Sequence, residues 1–107
     1  MNHSILKGHL DGLILSVLEV EPLHGYAVIE ALRHRSDEAL DLPSGTIYPA
    51  LRRLERSGRI AGEWSVVEGR RRRTYRLTAA GAATLARERS EWTAFSAMVD
   101  RVLAARP

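Results

Sequence analysis

The sequence predicts a mainly α-helical fold carrying one small β-hairpin, an α+β arrangement. Three observations lead there. Apolar residues recur at helical spacing in three segments of the first half. The period then drops to two over residues 60–77, around a turn. A last helical stretch then begins at residue 79 and runs almost to the end of the 107-residue chain.

Each element has its own signals. Leu10, Leu13, Ile14, Val17 and Leu18 form the stripe of an amphipathic helix, which Glu21-Pro22 ends. A second helix is expected from about His24 to His34, burying Tyr26 or Val28, Ile29 and Leu32, and breaking in the polar stretch Ser36 to Glu38. Leu42-Pro43-Ser44-Gly45-Thr46 reads as a helix start with Ser44 or Thr46 as N-cap, which puts Pro49 near the first turn. That third helix runs to Ser57 and stops at Gly58, a usual residue just beyond a helix end. Ile60–Val67 and Arg71–Leu77 are β-compatible, with Glu68-Gly69 supplying the turn. Thr78 caps a final helix reaching about Ala105, about 40 Å long at 1.5 Å per residue. Three helices, a hairpin and a long helix give the layout of a winged helix-turn-helix, residues 1–78, followed by a C-terminal helix, residues 79–107.

Composition narrows the function classes. The chain is 45% hydrophobic and 27% charged with no cysteine, so disulfides, thiolate nucleophiles and thiolate metal ligands are absent. No apolar run approaches a membrane span, and Met1 to Leu10 lacks the pattern of a signal peptide, so a cytoplasmic location is the default expectation. His3, His9, His24 and His34 fall at no metal-ligand spacing, and no metal or cofactor is expected. Neither a Gly-rich phosphate loop nor a Ser/His/acid grouping is visible, which argues against an enzyme.

Charge distribution is more telling than the net +3. Residues 1–43 carry 3 Lys/Arg against 7 Asp/Glu, residues 44–78 carry 9 Arg against 3 Glu, and residues 79–107 carry 4 Arg against 3 acids. The positive charge sits on the third helix and the hairpin. On a helical wheel Ile47, Ala50, Leu51 and Leu54 make an apolar back. Tyr48, Pro49, Arg52 and Arg56 lie opposite, with Arg53 at the flank. Guanidinium forks on such a face suit guanine edges or phosphates in a major groove, and Ser44, Thr46 and Tyr48 stand where a helix start can hold phosphate. In the hairpin, Arg70, Arg71, Arg72 and Arg73 follow the turn at Gly69. Four adjacent guanidiniums splay to both strand faces and need solvent or an anion, and four exceed what protecting an edge strand requires. These ten polar and basic positions, with Pro49 among them on α3, are expected at a double-stranded DNA interface. The competing reading is a winged helix used as a protein-protein interaction module without specific DNA binding, but such domains usually lack a basic recognition face.

The last helix carries a seam of its own. Leu85, Trp92 and Val99 recur every seven residues, Phe95 and Val102 repeat at the same interval, and Met98 and Leu103 widen the stripe. One small domain cannot cover that seam, so a second copy of the chain is the simplest partner, with Leu85, Trp92, Phe95, Val99 and Val102 in a homodimer interface.

Three motifs carry a family resemblance. Leu23-His24-Gly25-Tyr26 resembles the opening of the second helix in the PadR family of bacterial transcription regulators. Ser44-Gly45-Thr46-Ile47-Tyr48-Pro49-Ala50-Leu51, running into Arg53-Leu54-Glu55 and Gly58, is similar to that family's recognition-helix signature. Arg71-Arg72-Arg73-Thr74-Tyr75-Arg76-Leu77-Thr78, followed by Gly81, resembles its wing strand and the start of its last helix. The likeness covers about residues 10–81 and departs from the pattern at Thr74, where the family often has an aromatic. It implies a dimeric repressor that a small molecule or other signal releases from its operator. Ending after a single helix resembles the shorter PadR-like proteins. In some of these a tryptophan of the last helix stacks on flat drug-like ligands at the dimer centre. The resemblance thus adds Trp92 and Phe95 as effector-binding candidates for a small aromatic compound, beside their plainer reading as dimer core.

Overall fold

The structure, a computed structural model, describes Leu6 and residues 8–105. His3 and most of the segment read for a signal peptide lie outside the described residues. The order is α1 (Leu10–Val20), β1 (Leu23–His24), α2 (Gly25–Arg35), α3 (Ser44–Arg56), β2 (Ile60–Val67), β3 (Arg70–Leu77) and α4 (Ala79–Leu103). The sheet has three antiparallel strands in the order β1-β3-β2. The expected hairpin is therefore joined by a third strand, Leu23 pairing with Tyr75 and His24 with Thr74. A two-residue strand has no period to detect, and its pairing is settled only by the fold.

The core is built where the apolar stripes meet. Ile14, Leu15, Val17 and Leu18 of α1 face Val28 and Leu32 of α2 and the back of α3, made by Ile47, Ala50, Leu51 and Leu54. In α2, Val28 takes the buried position and Tyr26 is exposed. Ile60, Tyr75 and Leu85 close the core from the sheet and α4.

The two ends of α3 are closed by different devices. Its N-cap is Pro43 and no side chain caps it. The Pro43 carbonyl accepts from the Thr46 and Ile47 amides at 2.9 and 3.2 Å. Ser44 and Thr46 therefore lie inside the first turn, because Pro43 already holds the extended φ (−73°) that a cap residue needs. Pro49 consequently falls further into the helix than expected, past the first turn, where it removes the bond to the Gly45 carbonyl. Gly45 is exposed, so water can take that oxygen. At the other end, Gly58 has φ +79°, its amide donates to Glu55, and the Arg59 amide donates to Leu54, a complete Schellman stop.

The hairpin turns through Glu68 (φ 52°) and Gly69 (φ 76°), with Val67 paired to Arg70. Two positive φ values in a two-residue loop match the right-handed twist of the strands.

Helix α4 begins as a part of the core and ends outside it. The Thr78 hydroxyl accepts from the Gly81 amide at 3.1 Å and donates to the Gly58 carbonyl at 2.7 Å. Arg59 Nε donates to Thr84 Oγ1 at 3.0 Å. Gly81 lies against the Arg59 backbone so closely that a Cβ there would overlap the carbonyl oxygen. Gly81→Ala should lower stability by about 1–3 kcal/mol. Gly45→Ala, at a helical position with open space around it, should raise it by about 0.4–1 kcal/mol. Urea unfolding of the two variants checks both signs.

Candidate nucleic-acid interface

The buried back of α3 fixes which of its side chains face out. Ser44, Tyr48, Pro49, Arg52 and Arg56 are exposed, and Thr46 is half-buried. Tyr48 is held from beneath by α2. Its ring sits over Gly25, the first residue of that helix, at a distance that leaves no room for a Cβ. This gives the glycine of Leu23-His24-Gly25-Tyr26 a reason that the sequence alone does not disclose.

Two of the expected contacts have other partners. Arg53 grips Asp11 in the first turn of α1 through two bonds, Nη1 to Oδ2 at 2.7 Å and Nη2 to Oδ1 at 2.8 Å. Arg73 reaches across to Glu55 on α3, Nε donating to Oε1 at 3.2 Å and Nη2 to Oε2. Pairing with Arg73 holds the Glu55 carboxyl below the usual carboxylate range against the opposing effect of burial. Both residues are half-buried, and Gly62 on β2 clears the path, since a Cβ there would overlap the Arg73 guanidinium. Both arginines were expected at the DNA interface. Their acidic partners, 42 and 18 residues away in sequence, leave no local pattern.

The other charges of this face have no acidic partner among the described residues. Arg52 and Arg56 on α3 and Arg70, Arg71 and Arg72 on the wing belong to no ion pair. The strand splits the run by face. Arg71 stacks over exposed Trp64 with its guanidinium carbon 4.5 Å from the ring centroid, and Arg73 lies 5.2 Å from the same ring. Arg70 and Arg72 project from the opposite face. Near Arg72 stands His24, its pKa lowered by burial and then by that charge. Guanidiniums free of carboxylates, some steadied by an aromatic ring, can hold phosphate or base edges.

A second feature lies at the back, between α1 and α4. An apolar cleft of about 620 Å³ is lined by Leu6, His9, Leu13, Leu40, Leu85 and Trp92, with Glu88 and Arg89 at its polar side. The His9 and Trp92 rings meet edge-on at 5.2 Å, and Trp92 and Phe95 lie 5.9 Å apart. Burial first, and then the Asp11 charge, push the Glu88 carboxyl above its ordinary value. The seam of α4 is only partly as expected. Leu85 is 2% exposed and belongs to the protomer's own core, because the first turns of α4 pack against Arg59 and α1. Trp92 (52%), Phe95 (51%) and Val102 (74%) are open and Val99 is half-buried. Among the described residues there is no metal-ligating cluster and no helix long and apolar enough to cross a membrane.

A helix presenting guanidiniums beside a basic β-wing, on a body of three helices, defines a winged-helix module of the DNA-binding class. The comparisons with known proteins give the family. The profile of the transcriptional regulator PadR-like family matches residues 14–87, and the chain belongs to that family. It is similar to a transcriptional regulator from Clostridium thermocellum, with a TM-score of 0.87 and 28% identity over 94% of this chain and 99% of that one. A PadR family transcriptional regulator from Eggerthella lenta gives a TM-score of 0.84 at 32% identity, covering 96% of this chain and 88% of that one. In sequence, 45 residues are 53% identical to the transcriptional regulator Rv3488 of Mycobacterium tuberculosis, 42% of each chain.

The contact between Tyr48 and Gly25 is open to a direct test. Gly25→Ala should cost about 1–3 kcal/mol by overpacking. Tyr48→Ala in the same chain should cost less than it does alone, because the two changes relieve each other. A double-mutant cycle in urea measures this, and strict additivity would mean that the ring does not rest on that glycine.

Proposed function

We propose that this PadR-family regulator binds a specific operator as a homodimer and represses transcription until a small molecule releases it. Residues 1–78 are the DNA-binding unit, and residues 79–107 the dimerisation helix, whose first turns are built into the body. The observation that carries this reading is the set of five carboxylate-free guanidiniums, Arg52, Arg56, Arg70, Arg71 and Arg72, spread along one helix and one wing. Arg52 and Arg56 would read bases in the major groove, flanked by Ser44, Thr46, Tyr48 and Pro49 at the phosphate-facing end of α3. The wing arginines would lie along adjacent backbone. Trp92, Phe95, Val99 and Val102 would form the centre of the dimer, which must hold two recognition helices about 34–36 Å apart. The apolar cleft beside Trp92 supports an aromatic effector. Titration of random duplex and of the DNA upstream of the protein's own gene, each at two salt concentrations, tests the reading. Salt-independent binding, or none, would favour a protein-interaction module.

Arg52→Ala or Arg56→Ala should weaken operator binding by about 1–3 kcal/mol and relax preference at one base position. Tyr48→Phe should weaken all sequences equally. Competition against single-base operator variants distinguishes the two patterns, and unchanged specificity in both arginine variants would remove α3 as the reader.

Trp92→Ala should shift dimer toward monomer at micromolar concentration and weaken DNA binding with it, since removing a buried tryptophan typically costs about 3–5 kcal/mol. Sedimentation read against gel shift resolves its role. A stable dimer that binds DNA but no longer responds to a flat aromatic compound would make Trp92 an effector contact. A stable dimer unchanged in every property would remove it from both roles.

A further inference from the structure

The run Arg70 to Arg73 looks uniform in sequence, yet its members are not equivalent. Arg73 lies one step toward the wing tip from buried Tyr75 on the same strand face, paired across the ladder with Trp64. Its guanidinium crosses Gly62 to reach Glu55 on α3 through both Nε and Nη2. Beyond that point every residue from 63 to 72 is exposed. Among the described residues no hydrogen bond or ion pair further out ties the hairpin to the helices.

Leverage makes this bond matter. A bare two-stranded hairpin is marginal in water. From Arg73 to Gly69 in the turn is a span of about 14 Å at 3.4 Å per residue, so a tilt of about 12° at the anchor would carry the tip by about 3 Å. That is the length of a hydrogen bond to phosphate. Glu55 is, besides, a carboxylate on a helix whose exposed side is basic, and on the proposed DNA face an unpaired negative charge would repel DNA.

We infer that Glu55 and Arg73 are a positioning pair that sets the angle of the wing to α3, that Arg73 makes no contact with DNA, and that Trp64 passes the restraint on to Arg71 by stacking. The consequence for DNA rests on the function proposed above, but the restraint itself does not. The two can therefore fail separately.

Hydrogen exchange in the free protein tests the restraint. In Glu55→Gln and in Arg73→Gln, amides of residues 62–75 should exchange about tenfold faster, with helix α1 unchanged as an internal check on folding, and Arg71→Gln should leave wing exchange near wild type. Unchanged wing protection in the first two variants would overturn the inference whatever happens with DNA. Duplex titration over a range of salt tests the consequence. Each single variant should bind several-fold more weakly, and the double variant no more weakly than the worse single. The slope of log affinity against log salt should stay at the wild-type value for Arg73→Gln and fall by about one per protomer for Arg71→Gln. Tighter binding by Glu55→Gln, with a slope lowered by about one per protomer in Arg73→Gln, would instead make Arg73 a phosphate contact. If the wild type bound no DNA, the proposed function would fall and the exchange result alone would decide the pair.

Discussion

The packing of the apolar back of α3 onto α1 and α2 is the contact on which everything else rests. Ile47 and Leu51 are fully buried and Leu54 nearly so. Each such side chain contributes about 1.5–3 kcal/mol by leaving water, an amount comparable with a good part of a small domain's net stability. Because the helix has one apolar stripe, burying it leaves no freedom in what faces outward. Tyr48, Arg52 and Arg56 are exposed for the same reason that Ile47 and Leu51 are buried.

Arginine is used in two ways on this surface, and the acids decide which. Asp11 and Glu55 each take one guanidinium, and both pairs bridge separate elements, α1 to α3 and α3 to β3. The arginines without an acid are left for whatever polyanion approaches. Exposed ion pairs stabilise a fold only slightly, commonly 0–1 kcal/mol. For Arg53, half-exposed in its pair with Asp11, the main effect is therefore orientation rather than stability. The half-buried pair of Glu55 is more constrained, since either partner left alone would be a poorly solvated charge.

Most of the fold was legible because its signals are local. Helical stripes, Gly58, the Glu68-Gly69 turn and the Thr78 cap all act within a few residues, and the structure places each expected element within a residue or two of its expected bounds. What escaped was non-local. Strand β1 exists only because β3 lies beside it, and the glycines at 25, 62 and 81 answer to partners on other elements. The position of Pro49 was missed for a different reason. A serine and a threonine at a helix start look like caps, but the preceding proline already had the required φ and took the role. For the candidate interface, the basic face of α3 and the wing could be read from charge and period. The engagement of Arg53 and Arg73 could not, nor could the burial of Leu85, whose heptad spacing is shared by core and seam alike.

The junction of α4 with the body ties the two proposed roles of the chain together. Three hydrogen bonds, Thr78 to Gly58, the Thr78 amide to Arg59, and Arg59 to Thr84, fix the start of α4 to the residues that end α3. Gly81 allows the approach that makes them possible. Helices α3 and α4 therefore meet at one hydrogen-bonded joint. In a dimer built on α4, the crossing of the two helices would then set the separation of the two recognition helices directly. The cleft beside Trp92 lies along the same helix, between α4 and α1, and α1 is one of the two helices on which α3 packs. In the proposed dimer, a ligand that wedged α1 from α4 would shift one of the helices beneath α3 against the helix that joins the two copies, and so would change the spacing of the two copies of α3.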